Sequence, residues 1–140
     1  MDLDALETSF DLIAPKGDEL VEIFYARLFA TAPAVKPLFA STDMARQRMM
    51  LLSALVLLRR SLRDIDAAVP TLKRLGARHV AYGVRAEHYP VVGTVLIGAM
   101  AHVAGPDWEP RYAKAWTEAF GAVAGAMLEG AAEADLAIAA

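Results

Sequence analysis

The chain has 140 residues, enough for one domain with a core that needs no staples, and its net charge of −3 lacks the basic surface that nucleic-acid binding requires. It contains no cysteine, which excludes a disulfide framework, a thiolate nucleophile and sulfur-ligated zinc or iron–sulfur sites. Hydrophobic residues make up 56%, high for a small soluble domain and expected of one with an interface or a buried apolar ligand.

No apolar run is expected to span a bilayer: the stretch 51–58 is interrupted by Ser53 and ends at Arg59 and Arg60. The opening MDLDALETSF is acidic where a signal peptide would be basic, so a cytoplasmic protein is expected.

Every informative segment has helical period. Leu3, Leu6, Phe10 and Ile13 form a first stripe, stopped by Pro15 and Gly17. Asp18 is placed as the N-cap of a second helix with Leu20, Phe24, Tyr25 and Leu28 on its inner face, ended by Pro33. A short turn from Ala34 closes on Leu38 and Phe39, and a polar loop over 40–43 follows. The next helix covers 44–63, with Leu51, Ala54, Leu55, Leu58 and Leu62 inward. Pro70 suits the first turn of a fourth helix, which Gly83 stops. A fifth begins near Glu87, with Tyr89, Val92 and Leu96 inward, and runs to Ala104. Gly105, Pro106 and Asp107 break the chain before a last helix carrying Trp108, Tyr112, Trp116, Phe120, Val123 and Met127. Helices with short connections and no alternation with strands define an all-α fold, with real corners between its middle members.

Three polar residues interrupt the apolar stripes. Leu72, Leu75 and His79 stand at i, i+3 and i+7 and share one helix face. A histidine there is either a satisfied core residue or a ligand. Gln47 precedes Leu51, Ala54 and Leu58 by 4, 7 and 11 residues, which puts its amide on the buried stripe while Arg46 and Arg48 turn outward; otherwise it faces water at the helix end. Tyr25 lies inside its stripe, unless its hydroxyl reaches the surface. A buried amide and phenol need partners, and make sense together above something that accepts hydrogen bonds.

In order and spacing these residues resemble a bacterial single-domain globin, close to the haem domain of flavohaemoglobins, over about 10–127. The resemblance rests on FYARLF around Tyr25, on Leu38-Phe39, and on Gln47 thirty-two residues before His79. It rests also on RHVAYGVRAEHYPVVG and on Ala115-Trp116 in the last helix. It implies a single domain over 1–140 with the globin fold, a three-over-three helical sandwich holding one haem b. His79 would be the proximal iron ligand, its other ring nitrogen turned to an acceptor such as a backbone carbonyl near Leu75. Phe39 would stack on the porphyrin, Tyr25 and Gln47 would be the distal polar pair, and Leu51 would press over the iron. The loop between Phe39 and Gln47 differs by one residue in length from close relatives, and Gln47 rather than Arg46 is assigned by its spacing from His79. Tyr89 would be the proximal tyrosine, and Arg78 and Arg85 would flank the haem edge, able to pair with propionates or simply to face solvent. His88 and His102 are expected at the surface. The proximal glutamate of reductase-linked relatives falls on Ala131, between Glu129 and Glu133, and its absence weakens peroxidase-like or dedicated dioxygenase chemistry.

The resemblance implies reversible binding of dioxygen, CO and nitric oxide at ferrous iron. Its enzymatic alternative is a nitric oxide dioxygenase, which would need a separate reductase because 140 residues leave no room for a flavin domain. A globin-like sensor or interaction module is a third possibility, opposed by a histidine at the ligand position.

Overall fold

The computed structural model describes residues 1–139, with side chains through Ala134. Among these residues there are six α-helices and no strand: α1 (Leu3–Ile13), α2 (Gly17–Thr31), α3 (Met44–Ser61), α4 (Ile65–Ala81), α5 (His88–Ala104) and α6 (Pro110–Ala139). Short 3₁₀ turns cover Ala14–Lys16, Pro33–Phe39, Leu62–Asp64 and Gly105–Asp107. One layer consists of α1, α5 and α6; the other of α2, α3 and α4. They meet most extensively where α4 lies along α6 and where α2 crosses α5, giving the expected three-over-three sandwich.

Several boundaries differ from the expectations. Asp18 is not the N-cap of α2: the 3₁₀ turn Ala14–Lys16 feeds straight into the helix, and Asp18 sits in the first turn, where a carboxylate interacts favourably with the positive end of the helix dipole. Pro70 is inside α4, because that helix starts at Ile65 and Pro70 falls in its second turn. Its missing N–H would have bonded the carbonyl of Asp66, and both residues are exposed, so that carbonyl is not left unpaired in the core. Ala54 is exposed rather than inward, while Leu55 and Leu62 are buried as expected. Trp108 precedes α6 and packs edge-on against Tyr112 at 5.6 Å.

The core centres on α5. Contrary to the sequence expectation, His88–Asp107 is long and apolar enough by composition to cross a bilayer. Within this fold the same apolarity supplies the core: Val95, Leu96, Ala99, Met100 and Val103 are buried among α1, α2 and α6. Each such large side chain contributes about 1.5–3 kcal/mol of burial. One polar group lies at the centre. Trp116 Nε1 donates to Ser9 Oγ at 2.8 Å, and Ser9 donates to the Ala5 carbonyl at 2.6 Å, so neither buried donor is orphaned.

Two features hold the layers in register. Arg59 of α3 donates to Asp11 and Glu7 of α1, and Arg63, in the turn after α3, bonds Glu7 and Asp4. Across the other side, α4 and α6 run antiparallel at backbone contact. A Cβ on Gly76 would fall on the Met127 carbonyl, and one on Gly130 on the Lys73 carbonyl. Lys73 flanks this contact with ion pairs to Glu133 at 3.0 Å and Glu129 at 3.7 Å.

Gly130→Ala should therefore destabilise the fold by about 1–3 kcal/mol through overpacking. Gly125→Ala, whose new methyl meets nothing within 4 Å, should stabilise it by about 0.5–1 kcal/mol through helix propensity. Urea unfolding followed by circular dichroism measures both; equal effects would mean that the α4–α6 contact is not close.

Candidate functional site

Tyr25 is in the middle of α2, between Phe24 and Leu28, and only 6% of it is exposed. Its ring meets Phe24 edge-on at 4.9 Å and Phe39 at 5.8 Å, and Phe29 lies 6.1 Å away. These aromatic walls fix the ring, and Phe39 reaches them because Pro33 ends α2 and folds the chain into the turn Pro33–Phe39. Beside them an open, mostly apolar pocket of about 470 Å³ is lined by Phe29, Lys36, Pro37, Phe39 and Met44.

Asp43 starts α3, its Oδ1 accepting from the N–H groups of Ala45 and Arg46 at 3.1 and 3.4 Å. That cap sets the rotation of the first turn, leaving Arg46 exposed and Gln47 half-buried. Gln47 Nε2 donates to the Tyr25 hydroxyl oxygen at 3.0 Å. Leu51, one turn on, packs half-buried against the core. Because the amide occupies the phenol's oxygen, the Tyr25 proton remains available for a further acceptor. Burial keeps the phenol protonated by raising its pKa, with the Gln47 hydrogen bond acting weakly in the other direction.

His79 lies in the last turn of α4, half-buried, with Leu72 and Leu75 on the same stripe. Its Nδ1 is 2.7 Å from the Leu75 carbonyl oxygen, which can only accept, so Nδ1 carries the proton and Nε2 presents its lone pair. Burial lowers its pKa; the Leu75 bond opposes that shift and Arg78 assists it, so the ring is neutral, as a metal ligand must be. The backbone is fixed as well. Val84 N–H bonds the His79 carbonyl at 3.0 Å and Gly83 N–H bonds Val80 at 3.0 Å, a Schellman closure that needs the positive φ of 89° at Gly83.

Tyr89, half-buried at the start of α5, lines an apolar groove of about 370 Å³ with Phe120, Ala124 and Leu128 of α6. Burial raises its pKa. Arg78 and Arg85 are exposed, without an ion pair among the described residues. His102 is exposed as expected, but His88 is not a free surface group: its Nδ1 accepts from Arg85 N–H at 2.9 Å and caps the turn before α5. One neighbour of His79 was missed in the sequence. Tyr82 lies three residues on, at helical contact spacing, and its ring stands edge-on to the imidazole at 5.8 Å.

The donor set restricts what His79 can hold. Among the described residues no three histidine, cysteine or acidic side chains cluster as metal ligands. A metal at this lone imidazole must bring its other donors with it, as the iron of a porphyrin does. The residues fit that group: one neutral imidazole on one helix, and an aromatic-walled phenol–amide pair on two others.

The fold is an all-α, three-over-three sandwich that carries a neutral imidazole on α4 and a phenol–amide pair on α2 and α3. The globin family model matches residues 22–127, and the chain belongs to the globin family. Haem and diatomic gas ligands are what that membership implies. The chain is 34% identical over 134 residues to a flavohemoprotein of Bacillus thuringiensis and 31% identical over 121 residues to one of Candida albicans, covering 94% and 84% of this chain. It spans about a third of those relatives' length, 33% and 30%. Among solved structures, it is similar to an engineered carbene transferase built on RmaNOD, a candidate nitric oxide dioxygenase from Rhodothermus marinus (TM-score 0.88, 27% identity, covering 99% of this chain and 96% of that one). A bacterial globin from Campylobacter jejuni shares the fold, with a TM-score of 0.81, 23% identity and 94% of each chain covered.

Ala131 stands at i+7 and i+3 from Ala124 and Leu128, the α6 residues beside Tyr89, on the flank away from Glu129 and Glu133. The contacts of Gly76 with Met127 and of Lys73 with Gly130 set Ala131 level with Leu72 and His79 level with Ala124, roughly 10 Å apart along α6. Ala131→Glu should therefore leave the reduction potential of the haem-loaded protein unchanged in potentiometric titration; a lowered potential would bring position 131 within reach of Tyr89.

Proposed function

We propose that the chain holds one haem b through His79 Nε2 and binds dioxygen and other diatomic gases reversibly at ferrous iron. The observation that carries this reading is the Gln47–Tyr25 hydrogen bond at 3.0 Å, which frees the phenol's proton for a ligand. When bound, the haem would supply an iron able to take up a diatomic gas. Phe39 and Leu51 would contribute apolar surface around it, and Tyr25 would donate a hydrogen bond to the gas. That bond is stronger to an acceptor carrying negative charge, so the Tyr25–Gln47 pair would favour dioxygen over CO. Arg78 and Arg85, both exposed, would be free to pair with propionates.

A second reading, nitric oxide dioxygenase served by a reductase, is supported by the similarity to RmaNOD and to the flavohemoproteins. The same Tyr25 and Gln47 would serve it. Mixing the oxygenated protein with nitric oxide, with and without a reductase, separates the two by whether nitrate forms over repeated turnovers.

The absorption spectrum of the purified protein, oxidised and reduced, tests haem binding. His79→Ala should lose most of the haem or the imidazole features, and a wild-type spectrum in every oxidation state would remove His79 as ligand. Tyr25→Phe should speed dioxygen release by roughly ten- to a hundredfold, the equivalent of a charge-assisted bond of about 1.5–3 kcal/mol. Gln47→Leu should have a smaller effect, because its amide orients the phenol rather than replacing it. Stopped-flow dioxygen dissociation ranks them; a larger effect from Gln47→Leu would reverse the hierarchy.

A further inference from the structure

Two adjacent amides tie the corner between α4 and α5 in opposite directions. Val84 N–H bonds the carbonyl of His79 behind it at 3.0 Å, and Arg85 N–H bonds Nδ1 of His88 ahead of it at 2.9 Å. His88 N–H returns to the Arg85 carbonyl at 3.0 Å, so the ring and its own backbone close one turn from both sides. Glu87, at the cap position of α5, makes no side-chain bond, and the side-chain closure falls to His88. Because Nδ1 accepts, the proton of the neutral ring is on Nε2. A second proton can go only to Nδ1. There it removes the acceptor, sets two donors face to face, and puts a positive charge at the start of a helix, the wrong end of its dipole.

Few charged groups surround this ring. Arg85 and Glu87 flank it in its own corner and are exposed, and Arg78 stands exposed in the last turn of α4. Opposite the start of α5, α6 presents the uncharged Thr117, Phe120, Gly121 and Ala124. Arg27 of α2 meets α5 ten residues further on, at the Gly98 carbonyl, and the α1 acids Asp4, Glu7 and Asp11 are turned to Arg59 and Arg63. Among the described residues none of them forms an ion pair with His88.

We infer that His88 is a positioning residue whose neutral ring holds the α4–α5 corner closed behind His79 and whose protonation opens it, so that acid loosens the grip on haem. Only the last clause rests on the reading that His79 holds haem. Arg85 directly follows Val84, whose amide closes the end of α4, so the segment that His88 releases is continuous with the one that fixes the His79 backbone. The corner is closed where the imidazole is neutral and opens as pH falls through the histidine range, about 8 to 5. A glutamine at position 88 would accept from the same N–H through its amide oxygen and has no proton to gain.

The test labels the haem-loaded protein with nitrogen-15, reduces it under CO, and measures hydrogen exchange of the Arg85 amide by NMR, corrected for its intrinsic rate. Between about pH 7.5 and 5.5 wild type should lose roughly three- to tenfold of its Arg85 protection, the equivalent of one hydrogen bond. His88→Gln should keep its protection at both, and His88→Ala should lack it at both. Acid should speed haem transfer to an excess of haem-free acceptor protein more in wild type than in His88→Gln, by roughly the same factor. Both proteins keep His79 and His102, so protonation of those rings contributes equally to each. An equal pH response of wild type and His88→Gln in either measurement, or full Arg85 protection in His88→Ala, overturns the inference and leaves the haem reading standing. A purified protein with no haem spectrum overturns the haem reading, and the Arg85 amide still decides for or against His88.

Discussion

The position of His79 depends on how close two helices can come. α4 lies against α6 with the backbone of Gly76 on Met127 and that of Lys73 on Gly130, an approach available only because both glycines lack a Cβ. The Lys73 ion pairs with Glu129 and Glu133 close one flank of this contact, and the Schellman turn at Gly83 closes the end of α4. The imidazole thus hangs from a helix fixed along its side and at its tip. Its remaining freedom is rotation about its own bonds, and the Leu75 carbonyl removes that.

The distal residues are organised by a different principle. A phenol and an amide, each costly to bury alone, satisfy one another, and the direction of the bond matters more than its strength. The amide donates, so the phenol keeps its own donor for something else. Had the amide oxygen faced the phenol, the pair would have been satisfied internally and offered a ligand little.

The helices, Tyr25, Gln47 and the stripe through His79 were legible in the sequence because each rests on period, which a single chain displays. The Leu75 acceptor was legible too, since a helix carries its own i−4 carbonyls. Features that depend on a second element were not. Gly76 and Gly130 read as ordinary helix glycines until the partner backbone is beside them. Pro70 looked like a helix start because proline is favoured there, but the preceding 3₁₀ turn had already opened α4, and the freed carbonyl lies outside the core. The uncharged stretch in α5 was overlooked as a possible span, and only its packing shows that its apolar residues build the core. Tyr82 carries no such signal, because a polar group stands out in a single chain only where it interrupts an apolar stripe, and this one faces out.

The ion pairs between α1 and α3 give α3 an uneven mounting. Arg59 ties its far end to Glu7 and Asp11, while Gln47 lies at the near end, behind a four-residue loop. Twelve residues of helix separate the two, roughly 18 Å at 1.5 Å per residue, so α3 is a lever with its fulcrum in a charged cluster. A tilt of about three degrees at that fulcrum sweeps Gln47 through roughly 1 Å over this length, enough to lengthen a 3.0 Å hydrogen bond past its working range. The charge pairs at the surface of α1 thus help to set where the far end of α3 stands, and with it the reach of Gln47 toward the phenol.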